Sequence, residues 1–181
     1  TDVVEKAVRS RMMSAIRGKH TQPELAVRRY LHAMGYRFRL HRRDLPGQPD
    51  LVMARFRLAI FVHGCFWHRH PGCFYATSPA SRTEFWRAKL DGNAERDRRQ
   101  LNDLAGLGWR TLVVWECGLR HLTDRLQELT ELIGSDDLHM EWPANLQGKE
   151  PHLARACPRI AKRVGMAAFR YPVKASALAE Q

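Results

Sequence analysis

With 181 residues, 44% of them apolar, the chain can build one domain with its own core plus some appended sequence, which excludes disorder throughout. No apolar run approaches the ~20 residues that span a bilayer, and the opening TDVVEKAVRSR has no signal-peptide apolar stretch, so a cytoplasmic chain with reduced cysteines is expected. The formal charge is +11, and residues 1–45 hold eleven Lys/Arg against four Asp/Glu, a local surplus of +7. Cationic charge concentrated in this way suits a phosphate backbone.

Residues 3–16 read as a helix with Val4, Val8, Met12 and Ala15 on one face, ended by Gly18. Thr21-Gln22-Pro23-Glu24 is a capping-box helix start, with Leu25, Leu31 and Met34 facing inward and Gly35 as the stop. YRFRLH (36–41) alternates as a half-buried strand does, LPGQP (45–49) is a turn, and DLVM and RLAIFVH form two strands with a short link at 54–56. The second is almost wholly apolar, as a central strand covered on both faces must be. Residues 83–107 form a long helix lined by Phe85, Leu90, Ala94, Leu101 and Leu104; 111–117 are another buried strand, and 123–133 a helix capped by Thr123. After Ser135 prolines interrupt the pattern, so residues 1–135 are expected to be the folded domain, with 136–181 a loose extension. Helix, strands, helix, strand, helix predicts an α/β mixed-sheet sandwich.

The chemistry concentrates in FVHGCFWHRHPGC (61–73). Cys65, His70 and Cys73 lie in one loop, and Cys117 ends a strand that can bring a fourth ligand. Three cysteines and a histidine make a closed tetrahedral zinc site with a structural task. Cys157, in the tail, is left out. Were His68 rather than His70 the ligand, His68 would be missing as a candidate base. With His70 as ligand, His63 and His68 remain beside a metal-fixed loop, able to take and give protons near neutral pH. Asp50 opens the first of the paired strands and suits a magnesium ion that keeps several waters; a simple turn cap is the other reading. Glu24 is explained by its capping box, yet also suits a hydrated metal. Phe66, Trp67 and Trp86 among cations suit stacking on bases or wedging into a duplex.

Together LPGQPDLV, IFVHGCFWHRH, RTEFWRAKL, NAERDRR, LGWR and VVWECGLR, in this order across residues 9–134, resemble the Vsr family, the very short patch repair endonucleases that nick DNA beside a T:G mismatch. The resemblance implies a restriction-endonuclease-like fold with a structural zinc site, a catalytic Mg²⁺ and a T:G-mismatched double-stranded DNA partner. It implies a monomer held at the nucleoid through DNA, with repair-pathway proteins as further partners. By position, Asp50 matches the magnesium aspartate and Val62 the residue whose backbone carbonyl joins it. His68 matches the general base, Asp97 its support, His63 the partner that steadies the transition state, and Glu24 a glutamate near the hydrated metal. Cys65, His70, Cys73 and Cys117 match the zinc ligands; Phe66, Trp67 and Trp86 the intercalating aromatics. Lys89 and Asn93 match DNA contacts. The amino-terminal arm (1–20), around Met13 and Ile16, matches the part that grips the opposite groove. Two departures stand out: Val62 replaces a usual threonine, and Pro71-Gly72 puts two residues where the family's zinc loop has one. The competing readings are a zinc-stabilised DNA-binding module without catalysis, and a related nuclease aimed at another lesion.

Overall fold

In a computed structural model of the chain, residues 18–144 and Val8 are described. The expected amino-terminal helix with Met13 and Ile16, and Cys157 with the rest of 145–181, lie outside these residues. Helix α1 spans Gln22–Ala33, followed by strands β1 (Arg39–Leu40), β2 (Leu51–Met53) and β3 (Leu58–His63), a 3-10 turn at Ala54–Phe56 linking the last two. Helix α2 spans Thr83–Gly106, then come β4 (Arg110–Trp115), α3 (Glu116–His121), a 3-10 turn at Thr123–Arg125, α4 (Gln127–Gly134) and β5 (His139–Trp142).

The strands form one mixed sheet in the order β1-β2-β3-β4-β5. β1, β2 and β3 pair antiparallel, while β3, β4 and β5 run parallel. β3 is central, and its apolar run is buried on both faces as expected. Ala59 and Phe61 pack with Leu45, Val52 and Leu104 of α2, whereas Leu58 and Ile60, pointing the other way, are fully buried as well. α1 packs on β3 and α3, and α4 on β5.

Several sequence expectations are corrected. YRFRLH shrinks to a two-residue edge strand whose side chains are both exposed, because His41 turns out of it at φ 47°. The strand expected at 111–117 ends at Trp115; Glu116 and Cys117 open α3. Thr123 starts a 3-10 turn and caps no helix, since α4 begins after Leu126. On α1 the buried residues are Glu24, Val27 and Leu31, while Met34, the residue that caps its C-terminus, is 53% exposed. α2 buries Leu90 and Leu104, but Phe85 stands out at 47% exposure. The folded part also runs past residue 135: His139–Trp142 pairs with β4 and buries Met140 and Trp142. A four-residue alternation ending at a proline is too short to announce itself as a strand.

Candidate active site and metal centre

Parallel pairing sets the site. His63 stands opposite Trp115 at the ends of β3 and β4, and Cys65 and Cys117 each follow two residues later, in the loop after β3 and in the first turn of α3. The loop after β3 is built of tight turns. The Gly64 carbonyl accepts from the Trp67 and His68 amides, at 3.1 Å each, and the Cys65 carbonyl accepts from His70 N–H at 3.1 Å. The extra Pro71-Gly72 residue is absorbed by Gly72 at φ 67°, a backbone conformation open to glycine, so Cys73 N–H still reaches the His70 carbonyl at 3.2 Å. His70 Nδ1 then lies 3.7 Å from Cys65 Sγ and 3.4 Å from Cys117 Sγ, its ring stacked on Trp115 at 4.1 Å. Donor atoms of Cys65, His70, Cys73 and Cys117 all fall within 4.8 Å of one another.

Hydrogen bonding from Cys117 draws the Cys65 thiol down to about 4 against its burial, while Cys117, sharing its proton with that sulfur, is pushed far up. A buried anionic sulfur among thiols and an imidazole is a donor set that fits a soft or borderline cation. His70, and not His68, stands in it.

His68 faces the other way. Its Nδ1 lies 2.6 Å from Asp97 Oδ2, presented by α2, and its ring stacks on His63 at 3.8 Å and 7°. Burial first, then the charge of His68, pulls the His63 imidazole down to about 3, so this ring is neutral at pH 7. Burial pushes the Asp97 carboxyl up, but the hydrogen bond and charge of His68, with His63 and Arg96, outweigh it and the net direction is down. Asp97 thus presents an anionic acceptor to His68 Nδ1, an arrangement that in a neutral imidazole favours the proton on Nδ1 and the lone pair on Nε2.

Asp50 immediately precedes β2, and its Oδ2 accepts from Val62 N–H on β3 at 2.8 Å. Its Oδ1 lies 3.9 Å from His41 Nδ1. Burial raises the Asp50 carboxyl despite the Val62 amide and the nearby His41, Arg28 and His68 side chains. A carboxylate fixed on one oxygen, raised by desolvation and set in an open cleft fits a bound cation. That cleft, about 440 Å³, is lined by Asp50, Val62, His63, His68 and Asp97 among others. His63, His68 and Asp97 also form the wall of a second cleft of about 770 Å³ beyond them.

Glu24 is 1% exposed. Its capping box is present: Oε2 accepts from Thr21 N–H at 3.2 Å, and Glu24 N–H reaches Thr21 Oγ1 at 3.4 Å. Its Oε1 meets Arg28 and, at 3.1 Å, His41 Nε2. The sequence reading missed Arg28 and His41. An arginine on a polar helix and a histidine ending an alternating segment carry no signal until tertiary packing joins them.

Phe66, Trp67 and Trp86 do converge, with centroids 5.0–6.2 Å apart, and Phe85 joins them through Trp86 at 5.5 Å. Lys89 Nζ lies 5.8–5.9 Å from the rings of Trp67, Phe85 and Trp86. Asn93 Nδ2 donates to the Trp67 carbonyl at 3.2 Å, tying the loop to α2. Phe85, assigned to the helix core from periodicity, belongs to this partly exposed aromatic cluster.

A family model described as DNA mismatch endonuclease Vsr matches residues 1–74. The type II nicking enzyme V.XorIIP of Xanthomonas oryzae pv. oryzae is 51% identical over 122 residues, covering 67% of this chain and 89% of the relative. DNA mismatch endonuclease Vsr of Escherichia coli is 47% identical over 135 residues, covering 70% and 86%. The type II nicking enzyme V.NmeAIP of Neisseria meningitidis is 36% identical over 133 residues, covering 74% and 94%.

Proposed function

The chain belongs to the DNA mismatch endonuclease Vsr family, and from that membership we propose that it nicks one strand of double-stranded DNA beside a T:G mismatch, with Mg²⁺, to open very short patch repair. The enzyme is a DNA endonuclease that hydrolyses phosphodiester bonds. One observation supports the catalytic reading above the others: His68 is fixed by Asp97 at 2.6 Å, outside the cysteine cluster, and lines the cleft that holds Asp50.

Asp50 and the Val62 carbonyl would hold Mg²⁺, with Glu24 near its waters, and the bound ion would supply charge stabilisation for the scissile phosphate and leaving oxygen. Val62 N–H holds one Asp50 oxygen so that the other is available to the cleft. His68 Nε2 takes the proton of the attacking water, Asp97 keeping Nδ1–H in place and stabilising the imidazolium that forms. His63, neutral and stacked on His68, leaves room for that positive charge and donates to the crowded phosphate in the transition state. The Cys65, His70, Cys73 and Cys117 knot, read as structural zinc, holds the loop that carries His68. Phe66, Trp67 and Trp86 wedge into the duplex at a step that a T:G pair makes less costly to distort, with Lys89 and Asn93 against the backbone. Met13 and Ile16 of the basic arm grip the opposite groove. A sheet of the restriction-endonuclease kind, one site per monomer and a cytoplasmic location on the nucleoid complete the reading. No helix among the described residues is long and apolar enough to cross a membrane.

The test is cleavage of defined duplexes carrying T:G, a matched pair or another mismatch, in Mg²⁺ and in EDTA. The expected result is a single-strand nick on the T:G duplex in Mg²⁺ alone. Equal rates on all duplexes reject the repair reading, and intact DNA in both conditions points to a binding module.

A further inference from the structure

The HRRD segment (41–44) sends its side chains to different places. His41 turns inward to Glu24 and Asp50. Arg42 Nε donates to Asp44 Oδ1 at 2.9 Å, and its guanidinium lies 5.6 Å from the centre of the Trp109 ring. Arg43, between that ion pair and Leu45, is exposed, and its side chain has no ion pair, hydrogen bond or ring contact among the described residues. Its backbone is nevertheless held on both sides. His41 N–H donates to the Asp50 carbonyl at 3.4 Å and closes the base of the loop, while Leu45, 7% exposed, packs in the core with Val52, Phe61 and Leu104. Arg43 therefore stands on a fixed rim, and it lines the same cleft as Asp50 and His68.

Among the described residues, the cations lining this cleft are Lys19, Arg43 and Arg96, and the carboxylates are Asp50 and Asp97. Both carboxylates have partners: Asp50 accepts from Val62 N–H, and Asp97 faces His68 Nδ1. Arg96 Nη1 donates to Asn93 Oδ1 at 3.2 Å. Of the two guanidiniums lining the cleft, that of Arg43 has its whole donor fork unused among the described residues. A side chain that keeps its charge and offers donors only, in a planar fork, is matched by the non-bridging oxygens of a phosphodiester. With the scissile phosphate at Asp50 and His68, Arg43 on the adjoining loop is left for the next phosphate along the strand. We infer that Arg43 is a phosphate-binding residue of the active site: its guanidinium grips the phosphate adjacent to the scissile one on the strand that is cut. The inference rests on the Asp50 cleft being the nicking site, as proposed above.

Binding of the full zinc-loaded chain to T:G duplexes in magnesium-free buffer, read by fluorescence anisotropy, tests this without relying on turnover. A single uncharged methylphosphonate is moved along the strand that is nicked. The wild type is expected to lose about tenfold in affinity when a phosphate beside the nick is neutralised. Arg43→Gln should lose as much on the unmodified duplex, with a slope of log affinity against log salt shallower by about 0.9, and nothing further from that methylphosphonate. Arg55→Gln, in the turn at the far end of β2, should bind every duplex as the wild type does. Equal losses in Arg43→Gln and Arg55→Gln, or an Arg43→Gln as sensitive as the wild type to every methylphosphonate, overturn the inference and leave Arg43 a diffuse surface charge. A phosphate masked by Arg43→Gln but several nucleotides from the nick overturns it as well. A wild type indifferent to neutralisation on both sides of the nick overturns it with no variant needed. Asp50→Asn that nicks like the wild type overturns the Asp50 reading and the inference with it.

Discussion

His68 and His70 are separated by one residue and face different chemistry. Arg69 between them adopts φ 49°, which turns the chain so that one ring meets Asp97 and the other meets the cysteines. Their substitutions should therefore fail in different ways. His68→Ala removes the group held at 2.6 Å by Asp97, and nicking should fall by about 10²–10⁴-fold, the range of a lost general base, with zinc content and DNA affinity unchanged. His70→Ala removes the only nitrogen of the knot, and should lose zinc and nicking together. Metal analysis beside single-turnover cleavage distinguishes the two. Zinc loss in His68→Ala would mean that the two histidines have exchanged roles.

Among the elements, α2 and the loop after β3 share the aromatic cluster. Trp67 comes from the loop and Trp86 from the first turns of α2, and the Asn93 amide joins the two at the Trp67 carbonyl. Trp67→Ala should weaken binding to a T:G duplex by about 1–3 kcal/mol, on the order of 5–150-fold, and matched duplex by less, read by fluorescence anisotropy. The same loss on both duplexes would leave Trp67 as a general contact with no part in mismatch selection. These elements also mark how far the sequence could be read. β3 and β4 were legible because strands buried on both faces must be continuous apolar runs. The knot was legible because thiols and imidazoles crowded into one loop have few other uses. Phe85 was misread because periodicity reports a helix face and not what lies over it. His41 and Arg28 were invisible because their meaning is tertiary: each matters only through Glu24 and Asp50, and α1, the chain entering β2 and the exit from β1 must pack before they meet.

At the scale of the molecule, both centres sit beyond the carboxyl ends of the parallel strands, where chain exits leave an opening for ligands. β5 closes that side of the sheet, although it lies past the boundary suggested by the sequence. It pairs with β4 along Thr111–Val114, and its Glu141 accepts from Trp115 Nε1 at 2.9 Å. Trp115 stacks on His70 and meets His63 edge-on at 5.4 Å, so the strand supports the knot and the histidine pair through one ring. The ties extend outward. Arg110 donates to the carbonyls of Leu132, Ile133 and Asp137, joining α4 and the turn before β5 to β4. Trp142, 1% exposed, donates to Glu128 at 3.0 Å and packs so closely on Gly118 that a Cβ there would sit 2.6 Å from its ring. A chain ending at residue 135 loses the pairing, Met140 and Trp142 together, and is expected neither to fold nor to retain zinc. Because truncation is severe, Trp142→Ala in the full chain gives the finer measure. It should cost about 3–5 kcal/mol in urea unfolding, the range for emptying a buried tryptophan site, while the nicking of the remaining folded protein changes little. A chain ending at 135 that stays folded and zinc-loaded would show that β5 is an accessory to the sheet, and that Trp115 holds its place on the knot alone.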